Sequence, residues 1–331
     1  MARRVTISDV AEAAGVSTMT VSRVVNGTGR VGLGTHERVS EAIRQLGYEP
    51  NRVARGLSTR TSLTIGLVVP DITNPFFPAV VRGAEDAAWD AGYTVSLANA
   101  VEDPERERAA IKNLEAHRVD GIVVCGARLP SEALDKLLAR HSQSVLVNRY
   151  CESGNSVSIV MDDVAGYARA IRHLADRGHE RIGLLAGPDR SASAAARRLG
   201  YVQALDQLGL ESGPELTETC EPVEADGYRG LRRLLARRPD ITAVLAYNDV
   251  MAIGVLQAAH DLGLNVPHDL AVIGCDDVRM ASLVTPSLTT LRIEKYELGR
   301  LAVDVLLRRF KGQKVGDIVL QPELVVRASA P

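Results

Sequence analysis

The stretch Thr6-Ile7-Ser8-Asp9-Val10-Ala11-Glu12-Ala13-Ala14-Gly15-Val16-Ser17-Thr18-Met19-Thr20-Val21-Ser22-Arg23-Val24-Val25-Asn26-Gly27 packs two helical faces into one short span. Ile7, Val10, Ala11 and Ala14 recur at i, i+3, i+4 and i+7, one side of a helix. Thr6 followed by Asp9 matches a capping box with Asp in the fourth place. Gly15 interrupts that helix. Ser17 can cap a second one, over about residues 18–25, that turns Val21, Val24 and Val25 inward. A third helix, about 35–46, buries Val39, Ala42, Ile43 and Leu46. Two short helices joined by a Gly-containing turn form a helix-turn-helix, whose second helix offers its first residues to base edges in the major groove. With the valines inside, Thr18, Met19, Ser22 and Asn26 face outward, and Arg23 lies beside them. Hydroxyls bond bases or phosphates, Met touches a thymine methyl, and Arg bridges guanine O6 and N7. Pattern alone leaves a small helical protein-binding module as the alternative.

Charge is distributed to match. The 331 residues carry 39 Lys and Arg against 41 Asp and Glu, a net of −2. Residues 1–60 hold nine Arg, no Lys and five acids, so the head is +4 and the remainder −6. A hydrophobic content of 46% with 24% charged residues excludes wholesale disorder. No apolar run approaches the roughly 18 residues of a membrane span. No apolar stretch follows the arginines of Met1–Val10, so a cytoplasmic location without a secretory leader is expected. Cys125, Cys151, Cys220 and Cys275 stand singly, which suits buried small hydrophobes in a reducing compartment rather than zinc ligands.

From residue 62 short β-branched runs alternate with helix-length segments. They are Leu63–Val69, Tyr93–Ala98, Gly121–Cys125, Ser144–Val147, Val157–Val160, Arg181–Ala186, Ala243–Ala246 and Leu270–Gly274. Near-continuous apolar strands between helices mean parallel sheets covered on both faces, as one large sheet or two smaller doubly wound ones. Ligands of such folds sit outside the carboxyl ends of the strands. That rule points to Asp71-Ile72-Thr73-Asn74, Asn148-Arg149, Gly187-Pro188-Asp189, Asn248-Asp249 and Asp276-Asp277.

The head strongly resembles that of the LacI/GalR family of bacterial transcriptional repressors. The likeness is carried by Thr6–Ala11, Ala14–Ser17, Thr20–Gly27, Thr35, Glu37–Val39, Leu46–Asn51 and Ala54-Arg55. Two residues depart from the family: Gly32 replaces a usual Ser that could cap the third helix, and His36 a common Arg. The resemblance implies that Thr18, Met19 and Arg23 read bases. It also implies that the segment after Tyr48 is a hinge that folds on DNA, with Leu57 wedging between base pairs of the minor groove. The full set expected on DNA is Thr6, Ser17, Thr18, Met19, Thr20, Ser22, Arg23, Asn26, Asn51, Arg52, Ala54, Arg55 and Leu57.

The resemblance continues more loosely through Ile65–Asp71, Asn74–Phe77, Val119–Ile122, Gly178-His179, Arg181–Gly183, Asn248-Asp249 and Ile273–Asp277. It implies an α/β chain: an N-terminal all-α helix-turn-helix head plus a periplasmic-binding-protein-like effector domain of two doubly wound parallel-sheet subdomains. The expected division is a head at 1–49, a hinge and linker at 50–61, and an effector and dimerisation domain at 62–331. Subdomain one takes 62–160 plus 293–318, and subdomain two 161–292 plus 319–331. By the same resemblance Arg197 and Asp276 bind the effector, and Asn148 stands where Asp is frequent. Arg197 suits hydroxyls or a carboxylate, and Asp276 accepts from two hydroxyls. Asn74, Asn248, Phe76, Phe77 and Arg149 complete the expected site. Asn248 can equally be a helix N-cap and Phe76 a core residue.

Gly27-Thr28-Gly29-Arg30-Val31-Gly32 fits G-x-G-x-x-G, but no strand precedes it, so a loop between helices is the expectation rather than a dinucleotide site. No G-x-S-x-G, H-E-x-x-H or P-loop occurs, and no catalytic role, cofactor or metal is expected. His117, His141, His173 and His179 sit in or beside polar helix ends and read as solvated. The implied partners are double-stranded operator DNA, a second copy of the chain, and a small effector, sugar-like first and a purine or other metabolite second. A membrane is not among them. The chain ends just after an expected Leu320–Val326 strand with no Leu-heptad tail, so a dimer is expected rather than a tetramer.

Overall fold

The computed structural model describes residues 5–48, 61–140 and 143–331. Contacts divide the chain into two units, Met1–Ser62 and Leu63–Pro331. Residues 50–60 of the expected hinge, with Asn51, Arg52, Ala54, Arg55 and Leu57, lie outside the described residues, as does His141.

The first unit holds three helices: α1 (Ile7–Ala14), α2 (Thr18–Asn26) and α3 (Leu33–Leu46). Thr6 and Asp9 form a reciprocal capping box, and the Ser17 side chain accepts from the Thr20 amide. Gly15 and Gly27 end α1 and α2 at φ 65° and 64°, the left-handed conformation that a glycine adopts without a Cβ penalty. Val10, Ala11, Ala14, Val21, Val39 and Ala42 form the small core, with Val24, Val25 and Ile43 partly buried against it. Leu46 is exposed instead, since it ends its helix beyond that core. Gly27–Gly32 is the loop between α2 and α3. Gly32 occupies the N-cap of α3 and supplies no side-chain bond there, a deficit of a few tenths of a kcal/mol relative to Ser.

The second unit contains two six-stranded sheets. The strands are β1 (Thr64–Val69), β2 (Thr94–Asn99), β3 (Gly121–Cys125), β4 (Ser144–Val147), β5 (Val157–Met161), β6 (Ile182–Ala186), β7 (Thr217–Thr219), β8 (Ala243–Ala246), β9 (Ala271–Asp276), β10 (Thr289–Arg292), β11 (Ile318–Leu320) and β12 (Glu323–Val325). The first sheet runs β11-β5-β4-β3-β1-β2 and the second β12-β10-β9-β8-β6-β7. All pairings are parallel except β10 with β12. The chain passes between the sheets three times, after Met161, after Arg292 and after Leu320. Leu320 pairs with Met161, so both residues stay in the first sheet, one or two positions beyond the boundaries read from sequence.

Helices cover both faces of each sheet. On the first sheet α4 (Phe76–Asp90) and α11 (Lys295–Phe310) lie together, opposite α5 (Pro104–Ala116) and α6 (Ser131–Leu138). On the second, α7 (Asp163–Ala175) and α8 (Ala192–Leu208) lie opposite α9 (Glu224–Arg237) and α10 (Asp249–Asp261). Two helix pairs meet backbone to backbone. A Cβ on Gly83 would lie 1.9 Å from the Tyr296 carbonyl oxygen, and one on Gly299 2.0 Å from that of Val80. In the second half a Cβ on Gly227 would meet Met251 O at 2.2 Å, and one on Gly254 Glu224 O at 2.0 Å.

Cys125, Cys220 and Cys275 are buried and Cys151 partly so, all as free thiols. Two histidines read as solvated are partly buried. His173 Nε2 lies 2.9 Å from Ala330 O, and His179 Nδ1 lies 3.0 Å from Thr242 Oγ1. Burial lowers the pKa of both. The chain's last residues fold back over the end of α7, which the helix-end composition alone does not reveal.

Candidate functional site

In the first unit α2 presents an outward row. Thr18 and Arg23 are exposed, and Met19 keeps 64% of its surface. The Arg23 stem runs past Gly29, within reach of a Cβ placed there. Ser22 is half-buried and accepts from Asn26 Nδ2 at 3.2 Å, which leaves Asn26 Oδ1 buried without a partner. The other expected contacts are committed to capping. Ser17 and Thr20 hydroxyls bond each other at 3.0 Å, and the Thr6 hydroxyl donates to Asp9 Oδ2 at 2.7 Å. Ser17 and Thr20 thus fix the start of α2, and Thr6 the start of α1.

In the second unit a cavity of about 30 Å³ opens between the carboxyl ends of the two sheets. The first sheet's side supplies Asn74, Phe76, Phe77, Glu102, Arg128 and Asn148; the second supplies Ser193, Arg197, Pro222, Tyr247, Asn248 and Asp276. Asn74 Oδ1 accepts from the Phe76 amide at 3.0 Å. Phe76 and Phe77 meet edge to face at 5.1 Å, both buried, so they are core residues and cavity wall at once.

Arg197 is 5% exposed and hydrogen-bonded at two of its three nitrogens. Its Nε donates to Asp163 Oδ1 at 2.9 Å and Nη1 to Tyr247 O at 2.5 Å, while Nη2 lies 3.9 Å from Asp276 Oδ1. The Tyr247 ring lies 4.7 Å from the guanidinium carbon. Asp276 has a φ of 116°, an uncommon backbone for a residue with a Cβ. Burial raises its pKa to about 6 against the pull of Arg197 and Lys295. Asp249, behind it, is raised to about 8 by burial and by the Asp276 charge. Its carboxylate accepts from Thr290 Oγ1 at 2.6 Å and the Val278 amide at 2.8 Å, fixing the loop that carries Asp276.

Asn248 is both a helix cap and a residue of the cavity wall. Its Oδ1 caps α10 by accepting from the Met251 amide at 2.9 Å, and its buried Nδ2 has no partner. Asn148 Oδ1, from the opposite sheet, is also buried and unpartnered. Arg149 is not in the cavity wall. Its Nη2 donates to Leu129 O at 3.1 Å and Ser131 Oγ at 2.9 Å, because Asn148 adopts φ 57° and the chain turns there. Glu102, Arg128, Ser193, Pro222, Tyr247 and the supporting Asp163 escaped the sequence reading. Only Tyr247 carried a usable signal, as the residue before Asn248 at a strand's carboxyl end. A larger depression of about 730 Å³, lined by Met161, Leu298, Leu301 and Leu307 among others, contains no buried unpartnered polar atom among the described residues. Its lining also carries Asp90, Arg292, Glu294, Glu297, Arg300 and Asp304.

Residues 6–51 match the family described as bacterial regulatory proteins, lacI family, and residues 171–330 match the periplasmic binding protein-like domain. The chain is 36% identical over 331 residues to the HTH-type transcriptional repressor PurR of Haemophilus influenzae (strain PittEE), covering 98% of each. It is 36% identical over 326 residues to the HTH-type transcriptional regulator GalR of Escherichia coli (strain K12), over 98% of this chain and 95% of that one. The chain belongs to the LacI family. Its LacI-family relatives are transcriptional repressors and regulators, not enzymes. Among solved LacI-family structures, the Lac repressor dimer bound to operator and the anti-inducer ONPF aligns with a TM-score of 0.90 and 32% identity, covering 99% of both chains. The CelR–cellobiose complex aligns with a TM-score of 0.74 and 31% identity, over 98% of this chain and 100% of that one. Among the described residues no helix is long and apolar enough to cross a membrane.

Proposed function

We propose that this LacI-family protein is a cytoplasmic, ligand-responsive repressor. It binds a pseudo-palindromic operator as a homodimer, with the head at 1–49 and the hinge at 50–61. A small polar metabolite, a sugar or sugar derivative, controls it from the cleft between the sheets. One observation carries the reading. Asn148 Oδ1 and Asn248 Nδ2 are a buried acceptor and a buried donor without partners, one from each half, in a cavity walled by Arg197 and Asp276. Unpaired buried polar atoms cost about 1–3 kcal/mol each, and a ligand that bonds both removes that cost. At about 30 Å³ the cavity is far below the roughly 300–1,000 Å³ of ordinary ligand pockets, so the two halves are expected to part as a ligand enters. Such a ligand shifts the conformation by its differential affinity for the two states. The dimer of the Lac repressor on operator, and CelR with cellobiose, support the partners assigned here. Gel shift and footprinting on the protein's upstream sequences, with and without sugars and purines, test it. A preferred site whose occupancy changes with one metabolite is expected; indifference to every sequence and metabolite would end the proposal. Asp276→Asn is expected to abolish the response and spare operator binding.

A further inference from the structure

The cleft's charges are already matched within the protein. Arg128 is buried, and its fork is fully engaged: Nε and Nη2 lie on the Glu102 carboxylate at 2.5 and 3.0 Å, and Nη1 on Gly126 O at 2.7 Å. Glu102 reaches it from a turn in which Val101 and Glu102 both take left-handed φ values, 53° and 57°. Arg197 is hydrogen-bonded to Asp163 and Tyr247 O, and its Nη2 lies 3.9 Å from Asp276, an ion-pair distance without a hydrogen bond. Around the cavity two guanidiniums therefore face three carboxylates, Glu102, Asp163 and Asp276, with a fourth, Glu107, accepting from the Arg128 amide at 2.6 Å. The neighbouring cations already face acceptors of their own, with Arg190 Nε the one buried nitrogen among them left without a partner. Lys295 Nζ donates to the Asp276 and Asp277 carbonyls, Arg190 lies bidentate on Glu221, and Arg149 turns to Leu129 and Ser131. Among the described residues of the cavity wall, the fully buried side-chain atoms without a partner are neutral: Asn148 Oδ1 and Asn248 Nδ2.

We infer that the cleft takes an electrically neutral effector rich in hydroxyl or amide groups, and excludes its phosphorylated or carboxylated counterparts. This rests on the reading of the cleft as the effector site. An anion entering here would lose its hydration and meet carboxylates on both sides of the cavity, with guanidiniums already paired to them, a cost that hydrogen bonds from the two asparagines do not offset. A neutral polyol or nucleobase meets Asn148 Oδ1 with a donor and Asn248 Nδ2 with an acceptor.

Matched pairs decide it on the full chain. Thermal shift followed by calorimetry would compare aldoses and disaccharides with their phosphate esters and aldonic acids, and nucleosides with their 5′-monophosphates. The neutral member of the responding pair is expected to bind at least about tenfold more tightly. An anionic member binding as well or better overturns the charge inference and leaves effector control standing. Silence across both halves of the panel counts against effector control itself, and the charge inference falls with it. Two variants sharpen the result. Glu102→Gln frees the Arg128 fork and is expected to raise affinity for the phosphorylated or acidic member by about tenfold. Asn248→Asp keeps the capping oxygen but replaces the free donor with charge, and is expected to weaken the neutral ligand by about tenfold or more. A fold intact by circular dichroism with neither change refutes the assignment.

Discussion

Arg197 Nε donates to Asp163 Oδ1 across 2.9 Å with both side chains almost wholly buried. The pair ties the first turn of α7 to α8 and presents the rest of the guanidinium to Tyr247 O and Asp276. Removing one partner strands the other charge in the interior. Asp163→Ala is therefore expected to cost about 3–5 kcal/mol of stability, read from urea unfolding of the full chain. A loss below about 1 kcal/mol would mean that Asp276 alone neutralises Arg197.

Asp249 supplies a pH signature. Its ordinary value of 3.8 rises to about 8 in the fold, mainly through burial. The native state thus holds a proton that the unfolded chain releases above about pH 4. That contribution is complete below pH 4 and is lost as pH climbs to about 8. The stability difference between wild type and Asp249→Asn should fall over that window, by at most about 1.4 kcal/mol per pH unit, and level off above it. Parallel pH profiles for the two proteins would show that Asp249 is already ionised in the fold.

Asp277 faces away from its neighbour's cavity. Its two carboxylate oxygens take Arg292 Nε at 2.8 Å and Arg327 Nη2 at 2.6 Å, bracketing β10 and the segment after β12 next to two of the three crossings. These partners hold its pKa below the ordinary carboxylate value despite its partial burial. Asp277→Asn should leave ligand affinity within a few-fold while blunting the ligand's effect on operator binding by about tenfold or more. Equal losses in affinity and response would place Asp277 in ligand binding instead.

On DNA, Arg23→Ala is expected to relax discrimination at one base pair by about 1–3 kcal/mol. Arg52→Ala should weaken all sequences alike and lower the salt slope by about one. Binding titrations over several salt concentrations and single-base operator variants separate the two. Identical specificity loss in both would reverse the role given to Arg52.

The head was legible because its signals are local: Thr6 with Asp9, Ser17 with Thr20, and glycines at both helix ends. Strands buried on both faces, such as Gly121–Cys125 and Ala243–Ala246, announce themselves as unbroken apolar runs. Thr217–Thr219, Thr289–Arg292 and Ile318–Leu320 do not, being short and at edges or crossings. The carboxyl-end rule found Asn74, Asn148, Asn248 and Asp276 in the cavity wall. It could not find Arg128, whose partner Glu102 stands 26 residues away, nor Asp163, hidden in the first turn of a helix. Arg149 was misplaced because adjacency in sequence to Asn148 says nothing about which way the next side chain leaves a left-handed residue.

The glycine contacts of Gly83 with Tyr296, Gly299 with Val80, Gly227 with Met251 and Gly254 with Glu224 bear on mechanics. Helices seated on each other's main chain have no side-chain cushion to compress, so each half is stiff across its helical layer. Deformation is then expected to concentrate in the connecting segments near Met161, Arg292 and Leu320, so that the proposed effector response would turn about them as the compliant joint of a two-plate lever. A methyl group added at Gly83 or Gly254 would therefore unseat a plate, whereas changes in the strands would alter how easily the lever turns.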